Sequence, residues 1–300
     1  MSTLPTKISQ PSASPLLGWL LIPLGLLGVL FSNVLINLVS AWRTDDNYSH
    51  GFLVLPISIY LAVRYVRSTK EERKPELFIG ALEMLLGISM LLVSQIIPYW
   101  LLHFGAFLLV LQGIAVAIGG QKWARGFLFP LLFLFFMFPM PEVWTGLASL
   151  WLQDWVAWAS AGVLDALVGC TRLGTQLSVS DPTHQKFHYL QVAEECSGLR
   201  QIVTFVALGS LLCYWNKKTH WIARLLLLLL AVPVAILANT ARVTIMGIGA
   251  VKFGTKWMDG WLHHAPALFT LPLGLVLYFG IASLLRPFGA SKNEDDHAEK

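Results

Sequence analysis

Three polar clusters interrupt an otherwise apolar chain: "EECSGLRQ" from Glu194 to Gln201, "ANTARV" from Ala238 to Val243, and "LHHAPAL" from Leu262 to Leu268. They carry a thiol (Cys196), two guanidiniums (Arg200, Arg242), an amide (Asn239) and two imidazoles (His263, His264). Those groups suit acyl transfer: a thiolate attacks a carbonyl, a cation steadies the developing charge and an imidazole moves the proton. Cys196 stands where an apolar run opens, so a helix starting there would turn its positive end toward the sulfur. Arg200, four residues on, would add a cation one turn away, and both effects favour the thiolate. Ser197 and Gly198 are small enough to admit a substrate backbone. Glu194 and Glu195 work the other way and raise the thiol pKa unless they pair with Arg200 or Arg242.

Taken singly, each group has a plainer reading. A cysteine near a helix end is commonly a small apolar filler, the reading we give Cys170 and Cys213. Arg242 could snorkel to headgroups, and His263 or His264 could be an interfacial anchor. An arginine costs about 2.5–3.5 kcal/mol at the centre of a span, so Arg242 is expected near the surface or beside a wet cavity. The chemical reading gains over these because three separate helices deliver their groups to one side.

The elements that position them follow from composition. Of 300 residues, 56% are hydrophobic and 13% charged, against about 25% charged in soluble domains, which argues for a polytopic membrane protein. The net charge of +4 suits basic cytoplasmic loops and is not read as nucleic-acid binding. Three cysteines fit no metal motif and no fully paired disulfide set. His184 and His188 would need a helix to share a metal, and their segment reads as strand, so neither metal nor cofactor is expected. The first apolar run is longer than a signal-peptide core of about 7–15 residues and is read as a retained helix rather than a signal cleaved near Val39–Ala41.

The 20-residue criterion gives about eight spans, near 16–39, 50–66, 77–97, 100–119, 126–140, 198–215, 222–240 and 265–285. The fifth is short and contains Pro130. With both termini inside, Lys and Arg number fourteen on the cytoplasmic side and seven outside, which the positive-inside rule favours. The expected fold is therefore an all-α integral membrane protein, N-in and C-in. Its one long extracytoplasmic connection holds an amphipathic, Trp-rich interfacial helix and a β-hairpin around Asp181-Pro182. Residues 1–15 read as a cytoplasmic polar tail, 16–286 as the membrane domain, and 287–300 as a disordered cytoplasmic tail.

The three clusters, with "NYSHGFLVLPISIYL" from Asn47 to Leu61, resemble the exosortase/archaeosortase family in order and placement. The resemblance covers about Asn47 to Leu285 and implies a bacterial exosortase. Such an enzyme would be a membrane-embedded cysteine transpeptidase of the cytoplasmic membrane, with its site facing the periplasm. It would recognise C-terminal sorting signals of exported proteins: a Pro-Glu-Pro-type motif, a transmembrane helix and a basic cluster. The acceptor could be lipid, glycan or water. Cys196 matches the nucleophile, Arg242 the family's arginine, and His263 the third member, with His264 as the alternative because Ala267 stands where glycine is usual. Glu195, Ser197, Gly198, Arg200 and Asn239 are supporting candidates. Tyr48, Ser49 and His50 are read as a pocket wall or substrate contact. Two other classes compete: a lipid-linked glycan polymerase or transporter, which would not depend on Cys196, and a scaffold that binds sorting tails without cutting them.

Overall fold

The computed structural model describes residue 23 and residues 25–69, 74–97, 99–181, 185–192, 198–216, 220–254 and 265–285. The expected tails at 1–15 and 287–300 lie outside the described residues, as do Glu195, Cys196, Ser197, His184, His263 and His264. The chain forms two compact units, one of 1–43 with 55–138 and one of 44–54 with 139–300.

The first unit holds α1 (Ser32–Thr44), most of α2 (Gly51–Ser68), α3 (Leu77–Ile96) and α4 (Trp100–Phe133), which ends in a 3-10 turn at Leu134–Met137. Apolar runs of this length must satisfy their own peptide groups in lipid, which makes them helices. α3 and α4 approach closely because small residues face each other: a β-carbon on Gly80 would come within 2.6 Å of Gly113 O and Ala117 N. α4 breaks at Gly120, whose φ of 73° only glycine adopts readily. A side chain there would also strike the Lys74 carbonyl. Glu76 secures the break, its N–H donating to Val116 O (3.2 Å) and its Oε1 accepting from Gln121 N–H (3.3 Å). That places a carboxylate at the start of the second half of α4, where the helix dipole favours negative charge. The expected spans 100–119 and 126–140 are thus the two arms of one bent element.

The second unit contains the turn Asp46–Tyr48, α5 (Glu142–Val168), β1 (Cys170–Leu173), β2 (Gln176–Asp181), β3 (Lys186–Gln191), α6 (Leu199–Trp215), α7 (Trp221–Phe253) and α8 (Ala265–Leu285). The expected hairpin is present as β2–β3, with β1 added on the other side to make an antiparallel sheet in the order β1-β2-β3. Leu177, Val179, Leu190 and Val192 on its inner face pack with Val156 and Leu164 of α5 and Val243 and Met246 of α7. A second cluster joins α6, α7 and α8, where Phe205 stacks on Tyr278 at 5.3 Å and Tyr278 donates to Leu227 O (3.0 Å).

Two expectations are corrected. α5 is a continuous helix of 27 residues but not a polar-faced one. Its buried face runs from Ser149, Leu152 and Gln153 through Val156, Ala157 and Ser160 to Leu164, and its exposed face is mainly Trp144, Leu147, Trp151, Trp155 and Trp158. The expected span at 222–240 is part of a helix that runs on to Phe253. Small residues sustain this extension, since Gly247 lies against Leu164. Four helical runs among the described residues are long and apolar enough to cross a membrane: Gly51–Ser68, Leu77–Ile96, Trp100–Met137 and Trp221–Phe253. α6 and the Pro272–Leu285 part of α8 are apolar and shorter.

The α3–α4 contact leaves no room for a larger residue. Gly80→Leu is expected to destabilise the chain by about 1–3 kcal/mol or more, read as a lower melting midpoint of the purified protein in detergent, whereas Gly25→Leu, with open space around it, leaves the midpoint within a degree or two.

Candidate active site

α6 begins abruptly. Its cap, Gly198, has φ 91° and ψ 5°, in the left-handed region, and is buried. A β-carbon here would overlap Asn239 Nδ2 and approach Ala235 O at 3.6 Å. Glycine is therefore needed twice over, for its backbone angle and for the contact with α7. Gly198 is the cap of α6, and Cys196 precedes it in sequence, outside the described residues. Arg200 lies in the first turn of α6, partly exposed, with its carbonyl accepting from Thr204 Oγ1 (2.8 Å).

Asn239 is 1% exposed and Arg242 4% exposed. Arg242 does not stand at the end of its helix, as the expected 222–240 span implied: it lies eleven residues before the end of α7 and is buried. Asn239 and Arg242 are separated by three residues, hence by about 4.5 Å along the helix. Other buried polar atoms accompany them: Gln201 Oε1 on α6, and Asn239 Nδ2, Thr240 Oγ1 and Thr244 Oγ1 on α7 have no hydrogen-bond partner among the described residues. Leaving such a group unpaired costs about 1–3 kcal/mol. Gln201, Thr240 and Thr244 were missed from sequence, although two threonines flanking an arginine in an apolar helix were a readable signal.

The Asn47–His50 stretch is fixed locally. Asp45 Oδ1 accepts from Asn47 N–H (2.8 Å), which starts the turn. Tyr48 hydroxyl accepts from Met140 N–H (3.2 Å) and lies 3.4 Å from Met140 O. Burial pushes the Tyr48 hydroxyl above its ordinary pKa, with Asp45 and Glu142 adding to the rise against the bond from Met140. The turn packs against α6, with Tyr48 and His50 partly buried and Ser49 exposed. The structure thus seats Gly198 on Asn239, with Arg242 three residues further along α7, and sets the Tyr48 turn against α6. Cys196, Ser197, Glu195, His263 and His264 fall outside the described residues.

The other cysteines have settled surroundings. Burial, reinforced by the Asp165 carboxylate, pushes the Cys170 thiol up and away from the thiolate. Cys213 is near the far end of α6, roughly 20 Å from Leu199 by helical rise, with its sulfur 3.9 Å from Arg224 O. On the inner face of the sheet, His188 Nε2 lies 3.5 Å from Asp181 Oδ2, both buried. His188 therefore faces a carboxylate across the hairpin.

Against this geometry the family comparison is decisive. The profile described as transmembrane exosortase matches residues 42–280. The chain belongs to the transmembrane exosortase family. That match spans both units and includes all three polar clusters and the Tyr48 turn. Comparison with curated proteins and with solved structures gives no significant match. Exosortases are in general membrane enzymes of a cysteine transpeptidase-like kind, concerned with protein sorting.

Gly198→Ala is expected to cost about 1–3 kcal/mol from backbone strain, plus the clash with Asn239. In the Gly198→Ala/Asn239→Ala chain part of that loss returns. A double-mutant cycle on thermal midpoints in detergent measures the coupling; strict additivity would contradict the contact. Tyr48 supplies a base-sensitive term. Its raised pKa means that its stabilisation is complete below about pH 10, the unfolded value, and is lost as pH climbs through the folded value. Tyr48→Phe should flatten the stability-against-pH curve above about pH 10.

Proposed function

We propose that this exosortase cleaves C-terminal Pro-Glu-Pro-type sorting signals at the periplasmic face of a bacterial cytoplasmic membrane, using Cys196, Arg242 and His263. The supporting observation is the seating of Gly198 on Asn239, with Arg242 buried one turn further along α7. Cys196 is two residues before Gly198, and two peptide units reach no further than about 7 Å. That reach supports a thiol that acts beside the Asn239–Arg242 stretch of α7. His263 and His264 directly precede Ala265, where α8 begins, and α8 packs against α7.

In this mechanism the Cys196 thiolate attacks the scissile carbonyl and forms a C–S bond. Arg242 faces the oxyanion, the kind of interaction whose removal costs about 10²–10³ in rate. The C–N bond then breaks, the amine leaves with a proton from His263, and the exported protein is held as a thioester. His263 next takes a proton from an amine, hydroxyl or water acceptor, which attacks the thioester and regenerates the thiolate. His264 is the alternative acid–base group. The eight-span, N-in and C-in topology belongs to the same proposal, since it sets the three clusters on the periplasmic side.

Co-expression with a reporter carrying such a tail, followed by immunoblot, tests the reading. Wild type and Cys213→Ala should process the reporter. Cys196→Ala should reduce processing by about a thousandfold or more, to below detection, and Arg242→Gln by about 10²–10³. Full processing by Cys196→Ala would remove the thiol from the mechanism and leave the polymerase, transporter or other enzyme classes to be tested.

A further inference from the structure

The two edges of the small sheet are treated differently. On the β1 side, Ser180 N–H donates to Gly169 O (2.9 Å), so the peptide groups of Cys170 and Arg172 point away from β2. That edge is covered: Cys170 N–H donates to Asp165 Oδ1 (3.1 Å), and the Arg172 side chain folds onto Asp154, at 2.8 Å from its carboxylate. Both partners belong to α5.

Among the described residues the β3 side is open. Val192 N–H donates to Thr175 O (3.0 Å), which fixes the parity: Leu177–Leu190 and Val179–His188 are hydrogen-bonded pairs, and the peptide groups of Phe187, Tyr189 and Gln191 point outward. No strand pairs with this edge, and these outward groups make no backbone hydrogen bond, among the described residues. Phe187 and Tyr189 are 61% and 66% exposed. Natural edge strands are commonly blunted by proline, charge or a bulge. Here three uncharged residues present their donors and acceptors to solvent in an unbulged register.

We propose that the outer edge of β3 is the substrate-docking rail of this enzyme: an extended polypeptide segment beside the scissile bond adds to the sheet as a fourth strand. The inference rests on the peptide-cleaving function proposed above. Its own evidence is the open edge and that edge's continuity with the site. β3 ends at Gln191, and within the next seven residues the chain passes Cys196 and reaches the Gly198–Asn239 contact. A segment laid along β3 thereby follows a strand whose chain continues in sequence to the thiol. Strand addition supplies affinity through main-chain bonds, while alternate side chains are left to choose the sequence. It also holds the scissile region extended, with its carbonyl free of the internal bond that a helix would impose.

Proline at an outward position tests this, because it deletes a rail donor and spares the β2–β3 ladder; Tyr189 gives the cleaner test, since Gln191 Nε2 also donates to Thr175 Oγ1 (2.6 Å). In the reporter assay, Tyr189→Pro and Gln191→Pro should each lower processing by about tenfold. Tyr189→Thr, which keeps the N–H and favours strand, should restore most of it. A second readout serves if the proline chains fail to accumulate. Tyr189→Cys, in a Cys196→Ala background, is paired with single cysteines walked along the reporter tail. Strand addition predicts disulfides at every second tail position. Wild-type processing by both proline variants, or crosslinking without alternation, overturns the proposal. So does a Tyr189→Cys chain that forms disulfides between two of its own copies and none to the tail. Processing that needs Cys196 yet ignores proline at 189 and 191 sinks the rail alone, whereas no Cys196-dependent processing with any cognate tail sinks the underlying function and the rail with it.

Discussion

The contact of Gly198 with Asn239 sets the geometry of the second unit. One residue type satisfies both a left-handed backbone and a helix approach without intervening atoms. Because α6 starts at that point, its apolar face meets α7 and α8 in register, with Phe205 stacked on Tyr278 and Gly274 facing Phe205. On its other side α7 receives the sheet and α5 through Val243 and Met246. α7 is thus the common wall of two apolar clusters, and its buried polar residues lie along the stretch where those clusters meet. Two well-packed flanks hold in place side chains whose burial is itself unfavourable.

Much of this was legible in sequence. Residues 77–97 formed one apolar run with a clear beginning and end, and the helix observed is Leu77–Ile96. The β2–β3 hairpin was legible because its residues alternate about a turn-forming Asp-Pro pair. β1 was not, since "CTRL" is too short to show a period and becomes a strand only by pairing with β2. The part of α7 after residue 240 is not legible for a related reason. A hydropathy window closes at Asn239 and Arg242, whereas the helix is carried onward by small residues that fit against α5. The start of α6 agrees with the expected 198–215 run, although the positive φ of its cap, Gly198, is invisible to periodicity. The family resemblance placed the polar clusters in order, but spacing alone gave no indication that Arg242 is buried.

Polar groups are handled differently in the two units. In the first, Glu76 is used at a helix break, where backbone donors are already exposed by geometry. In the second, polar pairs sit on the sheet: Asp181 with His188 on the inner face and Arg172 with Asp154 at the β1 edge. A surface ion pair such as the latter contributes little stability, about 0–1 kcal/mol. Its effect here is geometric, since it closes one edge of the sheet against α5 and, among the described residues, leaves the other edge open.

The length of α7 has a mechanical consequence. Its 33 residues make about 50 Å of helix, against a hydrocarbon core of about 30 Å. A thicker or thinner bilayer therefore slides its boundary along the rod, or tilts it, at fractions of a kcal/mol per ångström. The spacing between Arg242, Asn239 and Gly198 is set by protein contacts and stays constant. What varies is the depth of those buried groups relative to the lipid boundary, while their mutual geometry is unchanged.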